Sequence, residues 1–233
     1  MIFNKDTKLL IVAAHPDDEV LGCGATIAKA IDSGATVEVL FLGEGVSARF
    51  DIGDYNSPEF HSQTKIRTEG ANKALASLGI KKYSFSTRLC CQFDSSPILV
   101  IVKEIEAYIN SFKPNMIFTH NPSEVNIDHK IAYEAVEIAC RPTSSVCPEE
   151  IYTFEIPCSG SWTFESKFAP NIFVNVEKYW KQKIDAWNCY QGEARPFPFP
   201  RSEPGLETVA KYRGLSSNLP MVEAFKLVRK IIK

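Results

Sequence analysis

The sequence has 233 residues, of which 45% are hydrophobic and 23% are charged, and its formal net charge is −2. That balance is ordinary for a globular protein with a large core, and it excludes the positive field that attracts nucleic acids and anionic membranes. No apolar run approaches the roughly 18 residues that span a bilayer, and the N-terminus lacks the pattern of a signal peptide. We therefore expect a cytoplasmic protein with no nucleic-acid partner and no membrane insertion.

Short apolar runs alternate with helical spacing through the first half of the chain. The apolar runs predict buried strands at 8–14, 36–42, 83–86 and 115–119. The helical spacing predicts a helix from Pro16 to the stop at Gly34, and further helices at 63–78, 98–112 and 129–139. Strands joined by helices favour an α/β fold in three layers, with a Rossmann-like, mostly parallel sheet between the helices.

The second half is less regular. It predicts strands at 151–156 and 172–176, a helix at 177–190, and two closing helices at 206–213 and 221–232. The segment 195–204 holds four prolines and cannot be regular structure. Since no repeat, linker or change in composition divides the chain, we predict one domain over residues 1–233.

Two clusters of polar side chains follow predicted strands. The first contains His15, Asp17 and Asp18, and the second, at 126–129, opens a helix with His129. Because ligands bind at the carboxyl ends of the strands in an open parallel sheet, we expect the two clusters to meet. His15 and Asp18, with His129 as the third ligand, would leave a divalent ion such as zinc one open position for water.

Each cluster also has a purely structural explanation. Acidic residues that open a helix commonly interact with its dipole, so Asp17 and Asp18 could be there for that reason alone. Asp128 could cap the helix that begins at His129. His120, at the end of a predicted strand, and Asp128 are candidates for contacts that orient the metal ligands.

The segment Ala14–Glu19 (AHPDDE), together with the later Asp-His pair that opens a helix, closely resembles the PIG-L/LmbE-like zinc de-N-acetylases. The similarity extends to Gly43–Gly45, to the helix that contains Arg67, and to tail segments at 201–202, 213–214 and 223–225. It implies an LmbE-like fold. It also implies hydrolysis of the acetamide of an N-acetylated sugar to acetate and an amino sugar.

The resemblance also assigns roles to individual residues. It implies that His15, Asp18 and His129 hold zinc, or another divalent ion such as Fe²⁺ or Co²⁺, and that Asp17 is the general base. Asn126 stands where many members have a histidine that stabilises the oxyanion. Asparagine can donate a hydrogen bond but cannot carry positive charge, so another group could share this role.

The substrate is less sharply indicated. The pattern VNIDH at 125–129 is more similar to members associated with surface-polysaccharide sugars, which predicts an N-acetylated sugar or sugar nucleotide as the substrate. A precursor of a thiol cofactor, with N-acetylglucosamine on malate or inositol, is the alternative. Arg49 and Arg67 are predicted to bind substrate, with surface salt bridges as the alternative. A homo-oligomer is left open.

Other functional classes remain open at this point. The seven cysteines are scattered and predict reduced thiols, although Cys90 and Cys91 could serve a cysteine amidase. The glycines at 22 and 24 lack the third glycine of a dinucleotide-binding fingerprint, and no aspartate ends a later strand as a phospho-receiver requires. A non-catalytic metal-binding or nucleotide-binding module is the last alternative. Asp17 argues against it, because a pure binding site needs no base.

Overall fold

The computed structural model describes residues 3–143, 146–165 and 167–232, and a mixed sheet lies at its centre. Its seven strands have the order β3-β2-β1-β4-β5-β7-β6. The first five strands in this order, from β3 to β5, pair in parallel, whereas β7 is antiparallel to both β5 and β6. The strands are β1 (Lys8–Ala13), β2 (Thr36–Gly43), β3 (Lys82–Arg88), β4 (Met116–His120), β5 (Glu150–Phe154), β6 (Ile172–Asn175) and β7 (Val222–Lys230).

Helices cover both faces of the sheet. Alternate residues of β1 supply the two cores, with Leu9 and Ile11 in one and Leu10 and Val12 in the other. The first core also includes residues of α1, α2, α5 and α6, and the second includes residues of α3 and α4. The helices are α1 (Asp18–Asp32), α2 (Pro58–Leu78), α3 (Ile98–Phe112), α4 (Ile127–Ala139), α5 (Trp180–Trp187) and α6 (Glu203–Leu215). Short 3₁₀ helices lie at Ser47–Arg49, Phe93–Ser95 and Glu177–Tyr179.

The predicted three-layer α/β fold with a mostly parallel sheet is confirmed. Several boundaries differ, and α2 begins at Pro58 because the hydroxyl of Ser57 caps it by accepting from the backbone N–H of Phe60. The predicted helix at 177–190 is shorter, since α5 begins at Trp180 after a 3₁₀ helix and ends at Trp187. The prediction that all of 195–204 is irregular is wrong at its end, because α6 begins at Glu203, where Ser202 caps it and Pro204 lies in the first turn.

The closing helix predicted at 221–232 is wrong. This segment is β7, which lies between β5 and β6 and pairs with both. Its apolar residues fit helical spacing about as well as strand spacing, so the local pattern does not decide between them. The backbone of β7 forms hydrogen bonds with β5 on one side and with β6 on the other, and this tertiary pairing overrides the local preference for a helix.

The strand order places a crevice above β1 and β4. The chain runs outward from β1 to β2 and β3 on one side, and from β4 to β5 on the other. At such a reversal the connections leave the carboxyl ends of the two central strands in opposite directions, which opens a ligand-binding crevice. The first polar cluster follows β1, and β4 ends at His120, so both predicted clusters lie at this crevice. Among the described residues, no helix has the length and apolarity needed to cross a membrane.

Candidate metal centre and active site

His15, Asp18 and His129 meet at the crevice. The Oδ2 atom of Asp18 lies 3.5 Å from Nδ1 of His15 and 3.5 Å from Nε2 of His129. Each of the three residues offers a ligand atom within 4.8 Å of the other two, and all three side chains are buried. His15 follows β1, Asp18 begins α1, and His129 lies in the first turn of α4. The fold therefore brings together the residues that the sequence predicted as metal ligands.

A carboxylate behind His129 fixes the orientation of its ring. Glu124 Oε2 contacts Nδ1 of His129, which leaves Nε2 facing Asp18. Glu124 is itself held in place, because it accepts hydrogen bonds from the backbone N–H of Ile156 (3.1 Å) and the hydroxyl of Ser159 (3.1 Å). Carboxylates paired with the distal nitrogen of an imidazole are a recurrent feature of metal sites, where they fix the tautomer.

His15 has the same arrangement with a different carboxylate. Its Nε2 lies 2.8 Å from Oδ2 of Asp128, so its Nδ1 faces Asp18. Asp128 also accepts hydrogen bonds from the backbone N–H groups of Cys91 and Phe93. Asp128 therefore lies where the sequence predicted a residue that orients a ligand. It is not the N-cap of α4, because Asn126 occupies that position.

The titration of these groups reflects burial and their carboxylate neighbours. Burial lowers the pKa of His129 to about 4, so this imidazole is neutral near pH 7. Burial also acts to lower the pKa of His15, but Asp128 and Asp18 outweigh it and raise that pKa to about 10. Despite burial, His129, His120 and His15 hold the pKa of Asp18 well below its ordinary value. The imidazole of His15 thus lies between two carboxylates, those of Asp128 and Asp18, and both favour a positive charge at this position.

The donor set fits a divalent ion. Two imidazole nitrogens and one carboxylate oxygen are the ligands that zinc and ferrous iron take in catalytic sites, with coordination positions left for water and substrate. A cation bound here would require neutral imidazoles and would itself supply the positive charge that the two carboxylates favour. The site's charge and its oriented imidazoles therefore both suit metal binding.

His120 packs behind this group. Its Nε2 accepts a hydrogen bond of 2.9 Å from the backbone N–H of Ala14, and its ring centroid lies 4.0 Å from that of His129. Its Nδ1 has no hydrogen-bond partner among the described residues. Because the lone pair of Nε2 is already used, the position suits a packing contact behind the ligands better than a ligand.

Asp17 lies beside the ligand group and is held by arginines. Its Oδ2 lies 2.8 Å from Nη1 of Arg67 and 3.3 Å from Nη1 of Arg201. Burial raises the pKa of Asp17 to about 6, against the lowering effect of the Arg67 and Arg201 charges. The residue has a φ of 128°, and its carboxylate faces Arg67, whereas the carboxylate of Asp18 faces His129. It is thus a buried carboxylate, next to the donor set in sequence, whose partners are cations.

The two arginines predicted to bind substrate form one network with Glu193. Arg67 is buried and donates to Asp17, to the carbonyl of Pro16 (2.8 Å) and to Glu193 (2.5 Å). The side chain of Arg49 is half-exposed and lies 2.7 Å from the same glutamate. The donors of Arg67 are thus directed at the protein, so its position suits holding Asp17. A substrate contact by either arginine stays a prediction.

Asn126 caps α4. Its side-chain oxygen accepts a hydrogen bond of 2.9 Å from the backbone N–H of Asp128. The amide nitrogen is the remaining donor, and the predicted role in stabilising an oxyanion stays a prediction.

The sequence reasoning missed Glu124, Ser159 and Glu193. Glu124 lies five residues before His129 in the loop after β4, a position that the pattern alone could have flagged. Ser159 and Glu193 come from irregular segments whose place in the fold no periodicity indicates. Arg201 belongs to a tail segment that carried the family resemblance, although its contact with Asp17 was not foreseen.

Comparisons with known proteins agree with this architecture. Residues 10–140 match the family described as PIG-L, GlcNAc-PI de-N-acetylase. A diacetylchitobiose deacetylase from Thermococcus kodakarensis is 27% identical over 238 residues, covering 97% of this chain and 85% of that protein.

Solved structures are also similar in fold. The N,N'-diacetylchitobiose deacetylase from Pyrococcus horikoshii has a TM-score of 0.75 at 23% identity, covering 97% of this chain and 85% of that one. The 4-carboxy-2-hydroxymuconate hydratase GalB from Pseudomonas putida has a TM-score of 0.73 at 21% identity, covering 97% and 98%. At these identities the likeness concerns the fold, and the fold is shared by proteins named for different reactions.

Proposed function

The chain belongs to the PIG-L (GlcNAc-PI de-N-acetylase) family, and on that premise we propose that it is a metal-dependent N-deacetylase of N-acetylated sugars. The reaction adds water across the acetamide bond, so that an N-acetylated sugar and water give acetate and an amino sugar. The observation that carries the proposal is the position of Asp17, a buried carboxylate beside the donor set but facing cations. A site that only stored a metal would not need it.

The ligands in this proposal are His15, Asp18 and His129, with zinc as the ion and Fe²⁺ or Co²⁺ as alternatives. A divalent ion there would supply a Lewis acid that lowers the pKa of water and polarises the acetamide carbonyl. Glu124 and Asp128 keep the two imidazoles oriented, each through the ring nitrogen that is not a ligand.

Asp17 is the general base in this proposal. Arg67 and Arg201 favour its ionised form, so near pH 7 it can accept a proton from the attacking water. It then returns that proton to the nitrogen of the departing amino sugar. The amide nitrogen of Asn126 is the side-chain donor that we assign to the developing oxyanion.

We infer a sugar nucleotide or another precursor of a surface polysaccharide as the substrate, from the VNIDH pattern at 125–129. A thiol-cofactor precursor with N-acetylglucosamine on malate or inositol is the alternative. The relatives named diacetylchitobiose deacetylases support an N-acetylated sugar in general. A cytoplasmic location stays a prediction, and a homo-oligomer stays open.

The test is acetate release from a panel of N-acetylated compounds: N-acetylglucosamine, diacetylchitobiose, UDP-N-acetylglucosamine, and N-acetylglucosamine linked to inositol or to malate. We expect at least one to be hydrolysed by the zinc-loaded protein, with activity lost on chelation and restored by added metal. The matched control is His129→Ala, which should bind less metal. A metal-loaded protein that releases no acetate from any of them would contradict the proposal, and so would full activity after the metal has been removed.

A further inference from the structure

The helix that carries Asp18 is broken after one turn. Within α1, Cys23 has φ −152° and ψ 19°, which is not helical, so the first turn is separated from the residues that follow Cys23. A break of this kind leaves carbonyl groups before it and N–H groups after it without their usual helical partners. Since α1 is buried along most of its length, these groups need partners from elsewhere in the chain.

A buried ion pair supplies partners on both sides of the break. Glu223, on β7, accepts hydrogen bonds from the backbone N–H of Ala25 (3.1 Å) and of Thr26 (2.7 Å). Lys183, on α5, donates to the carbonyl of Leu21 (2.8 Å). Its ammonium group also lies 2.5 Å from the Glu223 carboxylate, and both side chains are only 5% exposed. One Lys–Glu pair therefore joins the two segments of α1.

The first turn of α1, before the break, packs closely against the sheet. A Cβ atom at Gly22 would fall 2.4 Å from a ring carbon of Phe154, which ends β5. Only glycine allows this approach, so the backbone of the first turn packs directly against a side chain of the sheet. The turn begins with Asp18 and directly follows Asp17.

We propose that Lys183 and Glu223 are positioning residues for Asp18 and Asp17. They fix the backbone of the first turn, whereas Arg67, Arg201 and the ligand histidines act on the side chains. The inference rests on the proposed metal centre, and it adds that two residues from the C-terminal half, on α5 and β7, determine how well the N-terminal motif binds an ion. Without the pair, the first turn would move relative to His129, which is carried by a different helix.

The test uses Lys183→Met and Glu223→Gln, singly and together. Either single change leaves one buried charge without its partner, so we expect each to lower the melting temperature. We also expect each to weaken zinc binding by about tenfold or more, the range seen when a residue that supports a metal ligand is lost. Chelator competition measures the zinc affinity, and the visible absorption of the Co²⁺-loaded protein reports the ligand geometry.

The double variant separates positioning from stability. It removes both charges at once, so neither is left buried alone, and the melting temperature should recover towards that of the wild type. The zinc affinity and the Co²⁺ spectrum should not recover, because the Lys183→Met change removes the donor that holds the carbonyl of Leu21. Hydrogen exchange should show faster exchange of the Ala25 and Thr26 amides in Glu223→Gln, with or without metal.

The matched control is Glu104→Gln, which removes the carboxylate from a partly buried pair with Arg88 and has no contact with α1 among the described residues. It should leave zinc affinity unchanged. Zinc affinity that follows the melting temperature in all three variants would overturn the inference, as would stable variants with wild-type affinity and spectrum. If a single variant does not fold, the double variant carries the test alone. If the wild type binds no ion, the proposed function fails, whereas the amide exchange still shows whether the pair caps α1.

Discussion

Two sides of the candidate site differ in the charge that surrounds them. On the metal side, carboxylates lie behind imidazoles; on the base side, guanidinium groups lie beside a carboxylate. We define the metal side as His15, Asp18 and His129 with Glu124 and Asp128, and the base side as Asp17 with Arg67 and Arg201. The same buried crevice thus prepares some groups to bind a cation and another to accept a proton. Substitutions on the two sides should therefore fail in different ways.

The largest effect is expected on the base side. Asp17→Asn keeps the shape of the side chain but cannot accept a proton, so kcat should fall by about 10²–10⁴-fold, the usual contribution of a general base. The metal content, measured on the purified protein, should stay stoichiometric because Asp17 lies outside the proposed ligand set. A variant with near wild-type kcat would remove Asp17 from the mechanism, and a variant without metal would place it on the metal side.

On the metal side, Glu124→Gln should reduce metal affinity and leave the chemistry of Asp17 intact. The amide can present its nitrogen to His129 and would no longer fix the ring in the same way, so zinc affinity should fall by about 10–100-fold. Saturating zinc should restore much of kcat. Glu134→Gln, an exposed acid on the same helix α4, is the control. An affinity equal to that of the wild type would show that Glu124 does not orient the ligand.

The third prediction concerns pH and returns to the base side. As the proposed general base, Asp17 must be ionised, so activity should be lost as pH falls through its pKa of about 6. Arg201→Gln removes a cation that lowers this pKa. The loss should therefore begin at a higher pH, by roughly one unit, with about fivefold less activity at pH 6. The measurement is kcat/KM against pH with metal occupancy checked at each point. An unchanged or lower midpoint would contradict the assignment.

The smallest effect is expected at Cys91. Its backbone N–H, not its thiol, binds Asp128, so Cys91→Ser should keep the metal side intact and change kcat less than about twofold, as is usual away from the groups that react. A cysteine amidase would instead lose its activity. Acetate release by Cys90→Ser and Cys91→Ser, compared with the wild type, distinguishes the two mechanisms.

The sequence indicated which residues meet on the metal side better than it indicated the supports around them. The proposed ligands lie in short motifs at the ends of strands, where local pattern and topology together determine position, and β1, β2 and β4 follow clear apolar runs. Glu193, Arg201 and Lys183 come from segments whose position depends on long-range packing, and β7 was mistaken for a helix for the same reason. Glu223 therefore looked like an ordinary surface acid, although it is buried against α1.

The backbone at Asp17 has a consequence for anyone who tries to make this protein more durable. A φ of 128° is one that residues other than glycine rarely adopt, and holding such a residue in this conformation typically costs about 1–3 kcal/mol. Glycine would relax the backbone, but it would also remove a carboxylate that pairs with the buried Arg67, and losing one partner of a buried ion pair costs about 3–5 kcal/mol. A screen that rewards heat resistance alone should thus not enrich Asp17→Gly, although this substitution relieves the strain.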